Sequence, residues 1–209
     1  WEPARGTLIR WPLGIPEELV VELAEDDSLY VLVESYYQRD QALNTFTSWG
    51  VNTGHCRFLF APTYSHWTRD WGPHYVFDEE GVAGIADPIF DGYPWVPGCN
   101  QKKSVINKST GRKGILGYEE DDAVNIILAD SFNCPLISLP LYLTGGNIMV
   151  DGHNTAVSTQ QMLDENYPVA NEEQFMQVAE DSLGISNYII VDNPEVYGIQ
   201  HIDCYAKFL

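Results

Sequence analysis

The chain reads as an α/β fold assembled from similar units. Helical and extended segments alternate along its 209 residues. Polar and aromatic clusters recur where the extended segments end, and no linker divides the chain into separate domains. The arrangement repeats although no sequence repeat is visible, so polar groups would be delivered from several strand ends to a common centre.

The elements follow in order. Thr7-Leu8-Ile9-Arg10-Trp11 predicts a first strand. Pro16 suits the first turn of a helix, and Leu19, Val20, Leu23 and Ala24 then recur at helical spacing. Leu29 to Val33 has the apolar run of a buried strand. Gln38 to Trp49 predicts a helix closed by Gly50. Arg57 to Ala61 is extended and ends at Pro62. His74–Phe77 and Val82–Asp87 predict a hairpin around Asp78-Glu79-Glu80-Gly81. Residues 88–119, rich in Pro, Gly, Lys and Asn, predict a long surface excursion. A helix over Glu120–Phe132 and an extended Leu136–Leu139 come next. Gly145–Val150 and Thr155–Thr159 predict a second hairpin. Glu172–Leu183 predicts a helix capped by Gly184, Tyr188–Val191 a strand, and His201–Leu209 a last strand.

Composition narrows the function classes. At 44% apolar and 12% aromatic the chain is globular. No apolar run approaches the ~18 residues of a membrane span. The opening residues show neither the basic nor the apolar region of a signal peptide, and the compartment stays open. The net charge of −19 argues against a nucleic-acid partner, because phosphate binding needs a basic face. The same charge either keeps a surface solvated or attracts cationic ligands. Cys56, Cys99, Cys134 and Cys204 stand far apart with no CxxC, the pattern of inert thiols rather than of a zinc site.

Three segments could carry chemistry. In Trp67-Thr68-Arg69-Asp70-Trp71-Gly72-Pro73 two indoles flank a carboxylate. A carboxylate holds the N–H fork of a guanidinium by two parallel hydrogen bonds, and an aromatic face stacks on it for about 0.5–2 kcal/mol. The bland alternative is an Arg69–Asp70 pair over core tryptophans. In His201-Ile202-Asp203-Cys204, an extended backbone would turn His201 and Asp203 to one face and Cys204 to the other. The carboxylate would then raise the imidazole pKa toward working pH; a surface His–Asp pair is the alternative. In Thr144-Gly145-Gly146-Asn147, followed by Val150-Asp151-Gly152, the glycines admit a close approach of backbone or ligand, or form only a tight turn. Together these offer two carboxylates, one imidazole, two indoles and a Gly-Gly turn, a set suited to a small planar cation. A metal site on His201 and Asp203 would need a third ligand, with Asp70 the candidate, and the spacing does not mark one.

These three motifs, in this order, resemble the Porphyromonas-type peptidylarginine deiminase family, which is related to bacterial agmatine deiminases. The openings Trp1-Glu2-Pro3 and Trp11-Pro12 resemble it too, and the likeness covers essentially the whole chain. The resemblance implies a five-bladed pentein-type α/β propeller, of which residues 1–209 would be roughly the first three blades and the N-terminal part of a single catalytic domain. It implies hydrolysis of a guanidinium on agmatine, arginine or an arginine-containing peptide to a urea and ammonia, through a covalent thiouronium, with no cofactor or metal. By motif, His201, Asp70 and Asp203 resemble the catalytic residues: the two carboxylates grip guanidinium nitrogens, and His201 is the general acid and base. Trp67, Trp71, Gly145, Gly146 and Asn147 match the substrate-lining positions.

The sequence departs from the family in two places. None of the four cysteines has the Gly-rich context of the family nucleophile. That nucleophile is therefore expected beyond residue 209, in a further part of the same polypeptide or in a second chain; without it the segment would be a guanidinium-binding or interaction fragment. In Phe90-Asp91-Gly92-Tyr93-Pro94-Trp95-Val96-Pro97 no Arg stands where the Porphyromonas peptidyl enzyme holds a terminal carboxylate. Asp91, Tyr93 and Trp95 would instead suit an amine-ended or internal substrate.

Overall fold

The computed structural model describes residues 4–99, 104–108 and 110–208. The opening Trp1-Glu2-Pro3, Ser109 of the Asn107-Lys108-Ser109 sequon, and Leu209 lie outside them. The chain divides into two compact units, one ending at Thr68 and the other beginning at Arg69.

The first unit is built from β1 (Thr7–Arg10), α1 (Glu17–Asp26), β2 (Leu29–Val33), α2 (Tyr36–Trp49) and β3 (Cys56–Phe60). Strands that run parallel need a crossover, and α1 and α2 supply it. The sheet order is β1-β2-β3, with Ile9 opposite Val31 and Val31 opposite Phe58. Pro16 sits at the N-cap of α1 with φ −65°. Ser35 caps α2 by accepting from the Gln38 N–H, and Gly50 ends it at φ 79°, in the left-handed region that favours glycine. Val20 and Ala24 of α1 and Ala42 and Phe46 of α2 bury against Ile9, Leu29, Val31 and Val33. The helical and extended periods read from the sequence therefore meet in one apolar core.

The second unit follows α3 (Thr68–Trp71), which begins at the boundary. It holds β4 (His74–Phe77), β5 (Ala83–Ile89), β6 (Ser104–Ile106), β7 (Lys113–Ile115), α4 (Tyr118–Phe132), β8 (Leu136–Tyr142), β9 (Met149–Val150), β10 (Thr155–Thr159), α5 (Gln161–Asn166), α6 (Glu172–Leu183) and β11 (Asn187–Val191). One sheet has the order β4-β5-β8, with the expected hairpin antiparallel and β5-β8 parallel across α4. Another has the order β11-β10-β9, with β10 and β11 parallel across α5 and α6. Leu139, Leu141, Ile148, Ala156, Met162, Phe175 and Ala179 form the core beneath it. The architecture is a mixed α/β fold of separate sheets.

Three expectations need correction. Residues 88–119 are not only a surface excursion: β6 and β7 pair as a hairpin, and Phe90, Tyr93, Ile115 and Tyr118 are buried. The cause is an aromatic cluster, in which Tyr118 meets Phe90 and Tyr93 edge-on at 5.8 and 5.5 Å. Arg112 adds to it by pairing with Asp87 at 2.9 Å and Asp122 at 3.1 Å. Second, Gly145–Asn147 is a 3₁₀ turn rather than the start of a strand, so the second hairpin shrinks to β9 and β10. Third, His201–Leu209 is not a strand. Ile202–Cys204 is a 3₁₀ turn whose bonds are local, Cys204 N–H to His201 O at 3.3 Å and Tyr205 N–H to Ile202 O at 3.0 Å. Helix α5 was not anticipated: its six residues are too few for a periodic pattern.

Among the described residues no helix is long and apolar enough to cross a membrane.

Candidate active site

Asp70 stands in the single turn of α3 and is buried. The Tyr93 hydroxyl donates to its Oδ2 at 2.5 Å, and the Gly146 N–H donates to its Oδ1 at 3.1 Å. His201 Nδ1 lies 3.4 Å from the same Oδ1. All three groups come from one unit but from distant parts of its chain. The aromatic cluster brings Tyr93, the 3₁₀ turn after β8 brings Gly146, and the turn after β11 brings His201.

The two glycines are required by this closeness. A Cβ on Gly146 would stand 2.4 Å from His201 Nδ1 and 2.5 Å from Asp70 Oδ1. A Cβ on Gly145 would stand 2.0 Å from the Arg69 carbonyl oxygen. The backbone thus reaches the carboxylate only because no side chain intervenes.

Burial dominates the electrostatics. It pushes the Asp70 carboxyl up to about 6; the Tyr93 hydrogen bond opposes the rise, and the Asp203 charge adds to it. Burial, then the Arg69 guanidinium, push His201 down to about 4. This corrects the expectation that a carboxylate would raise it: loss of water and then the Arg69 charge set the direction. At neutral pH the site therefore holds an ionised Asp70 beside a neutral imidazole. His201 Nε2 is buried and has no partner.

The sequence candidates separate on this geometry. Asp70, His201, Gly145, Gly146 and Asn147 come together. Asp203 does not share a face with His201 by strand alternation. It is exposed on the 3₁₀ turn, close enough for its charge to act on Asp70. Cys204 does not turn inward to packing either; it is exposed. Trp71 is 1% exposed and sits in the interior. Trp67 belongs to the first unit, half-exposed, with its ring 4.3 Å from that of His66. Asn147 is buried with its Oδ1 turned to the backbone N–H groups of Thr159 and Ile202.

Two participants escaped the sequence reading. Tyr93 was expected to face a substrate, yet it is buried with its hydroxyl on Asp70. A tyrosine inside an aromatic cluster needs a partner for its hydroxyl, and that was the available signal. Arg69 does not pair with Asp70 as a neighbour would. It donates to the Ile148 carbonyl at 2.6 Å and charges the surroundings of both His201 and the buried His74. Among the described residues no three His, Cys, Asp or Glu side chains gather as metal ligands would.

The family model for Porphyromonas-type peptidyl-arginine deiminases matches residues 1–209. The chain belongs to that family. A Selenomonas ruminantium protein named "Putative agmatine deiminase" is 28% identical over 183 residues, covering 78% of this chain and 43% of that protein. The chain spans less than half the length of the curated relatives it matches. A substrate-bound C315S agmatine deiminase of C. jejuni superposes with a TM-score of 0.72 at 18% identity, over 97% of this chain and 58% of that one. The agmatine deiminase of Enterococcus faecalis gives 0.70 at 17% identity, over 92% and 51%. At these identities the structural likeness speaks to the mixed α/β fold. It is the family match that makes the Asp70–His201 centre the natural candidate for chemistry.

Proposed function

We propose that this chain supplies the guanidinium-binding and acid–base part of a hydrolase that converts a guanidinium to a urea and ammonia. One observation carries the reading: a family member buries the Asp70 carboxyl against a tyrosine hydroxyl, a backbone N–H and an imidazole, with no cation bonded to it. A buried anion without a cation bonded to it is costly, and a guanidinium is the planar cation that compensates it.

In the proposed reaction Asp70 and Asp203 hold guanidinium nitrogens. Each carboxylate keeps lone pairs beyond those used by its protein partners. A thiolate attacks the amidino carbon, and the C–N bond to the departing nitrogen breaks. His201, neutral beforehand, takes the proton of the thiol as that thiolate forms and passes it to this nitrogen, which leaves as ammonia. Water then adds to the thiouronium carbon and gives a proton to His201 Nε2. The C–S bond breaks, the remaining hydroxyl proton passes to ammonia, and the thiolate takes back the proton held by His201, leaving the urea, ammonium and the free thiol. Trp71, Gly145, Gly146 and Asn147 support the pocket. The nucleophile comes from a cysteine outside residues 1–209. Cys204 is a poor candidate, since burial and the Asp203 charge raise its pKa, and Cys56 and Cys134 are also raised by burial. The chain forms roughly three blades of a five-bladed propeller that encloses this centre, as the N-terminal part of one catalytic domain.

The test is ammonia release by the full-length protein from agmatine, free arginine and peptidyl-arginine, with the urea product identified by mass. Release from at least one is expected. Guanidine binding without any release would replace the hydrolase by a binding module, and neither binding nor release would remove the reading.

A further inference from the structure

We infer that Asn147 and Thr159 act as positioning residues that grip the backbone on either side of His201; this rests on the acid–base role proposed for His201. Asn147 Oδ1 faces the Thr159 N–H at 3.1 Å and the Ile202 N–H at 3.2 Å. The Thr159 hydroxyl lies 2.7 Å from the Gln200 carbonyl oxygen and 3.0 Å from Asn147 Oδ1. A hydroxyl has one hydrogen to give, and the nearer Gln200 carbonyl takes it. The Asn147 oxygen is then matched to two N–H donors. Turning the amide over would set its own hydrogens against both, so the orientation is determined by the network.

The consequence falls on one residue. Thr159 fixes the carbonyl that precedes His201, and Asn147 fixes the N–H that follows it. Both side chains are 1% exposed or less, so no water competes for these bonds. Gln200 has φ 60°, a left-handed backbone uncommon for a non-glycine residue and kept only where the surroundings enforce it. Its side chain adds to the restraint, bonding the Glu195 N–H at 3.2 Å and the Glu195 carbonyl at 3.0 Å. The residue before Asn147 completes the arrangement, because the Gly146 N–H holds Asp70 Oδ1. A single turn, Gly146-Asn147, therefore sets both members of the Asp70–His201 pair. On this reading Asn147 works through His201 and does not contact substrate with its oxygen.

The experiment uses the full-length protein with Thr159→Val, which keeps the shape and loses the hydroxyl, and Thr159→Ser, which restores it. Two quantities are read: kcat and KM for the best guanidine, and the ring nitrogen resonances of His201 by NMR. Thr159→Val is expected to lower kcat at least tenfold with KM changed less than twofold, and to shift the His201 resonances. Thr159→Ser is expected to return both to near the parent values. Should Thr159→Val not fold, Thr159→Ala removes the same hydroxyl without a branched methyl to place. Parent-like kcat together with unmoved His201 resonances in a folded hydroxyl-less variant overturns the inference. A loss carried by KM alone also overturns it, since it would mark a substrate contact. If the parent protein releases no ammonia from any guanidine, the hydrolase reading has failed, and the resonances still decide whether the grip exists.

Discussion

Among the buried carboxylates of the second unit, the Asp87–Asp122 pair and Asp70 are treated differently. Asp87 and Asp122 share Arg112, whose guanidinium forks between them at 2.9 and 3.1 Å. Further donors serve Asp122: the Phe90 N–H and the Thr110 hydroxyl, each at 2.9 Å. Asp70 is buried to a similar depth, but a tyrosine hydroxyl and a backbone N–H are what bond it. The first group already has its guanidinium in place. The second lacks that cation, and the family to which the chain belongs is described by chemistry on such a cation. The contrast separates a carboxylate that holds the fold from one that costs the fold something.

The largest expected effects set these two groups against each other. Asp70→Asn should lower kcat/KM of the full-length protein about 10³-fold or more, about 4 kcal/mol of transition-state binding. Its effect on stability should have the opposite sense. The Asp70 pKa rises from 3.8 to about 6 in the fold, so its ionisation there costs about 3 kcal/mol more than in the unfolded chain. That cost is present above pH 6 and disappears as pH falls below about 4. Asp70→Asn should therefore melt no lower than the parent at pH 8. Arg112→Met should do the reverse in the same denaturation measurement. It leaves Asp87 and Asp122 buried and uncompensated, at about 3–5 kcal/mol. Equal stability losses in the two variants would erase the distinction between the groups.

A smaller effect sharpens the account of Asp70. The carboxylate must be ionised to hold a cation. As pH falls through about 6 it gains a proton, so kcat/KM should drop on the acid side around that value. The hydrogen bond from Tyr93 favours the ionised form and opposes the rise. Tyr93→Phe removes it and should move the acid limb upward by about one pH unit, equivalent to about 1.4 kcal/mol. An acid limb near 4, unmoved by Tyr93→Phe, would assign the titration to His201 instead.

What the sequence disclosed divides along the same lines. The first unit was legible nearly element by element, because its helices and strands bury apolar stripes and little else. Thr63 and Ser65 are its only buried polar residues among those described. In the second unit most elements were legible, β6, β7 and α5 excepted, but their polar contents were not. Asp70, His201 and the Gly-Gly turn could be named from their motifs, yet the strand drawn through His201 was wrong. Residues with mixed polarity carry no period strong enough to outrank local 3₁₀ bonding. Tyr93 and Arg112 lie in a segment whose Pro and Gly content speaks for loops, while its aromatic residues and one arginine bind it to the core. Long-range polar pairs of that kind leave no local pattern to read.

The smallest expected effect is a control for all the others. Asn171 caps α6 in the second unit: its side chain accepts from the Gln174 N–H at 2.9 Å, and the Gln174 side chain accepts from the Asn171 N–H at 3.0 Å. Asn171→Ala breaks this reciprocal cap and should cost about 1 kcal/mol in chemical denaturation. Asn171 touches neither Asp70 nor Arg112, so kcat and the acid limb should stay at the parent values. If a loss of this size did reduce kcat, the activity changes in Asp70→Asn and Tyr93→Phe would report general loosening of the unit. With kcat unchanged, those changes belong to the carboxylate and its partners.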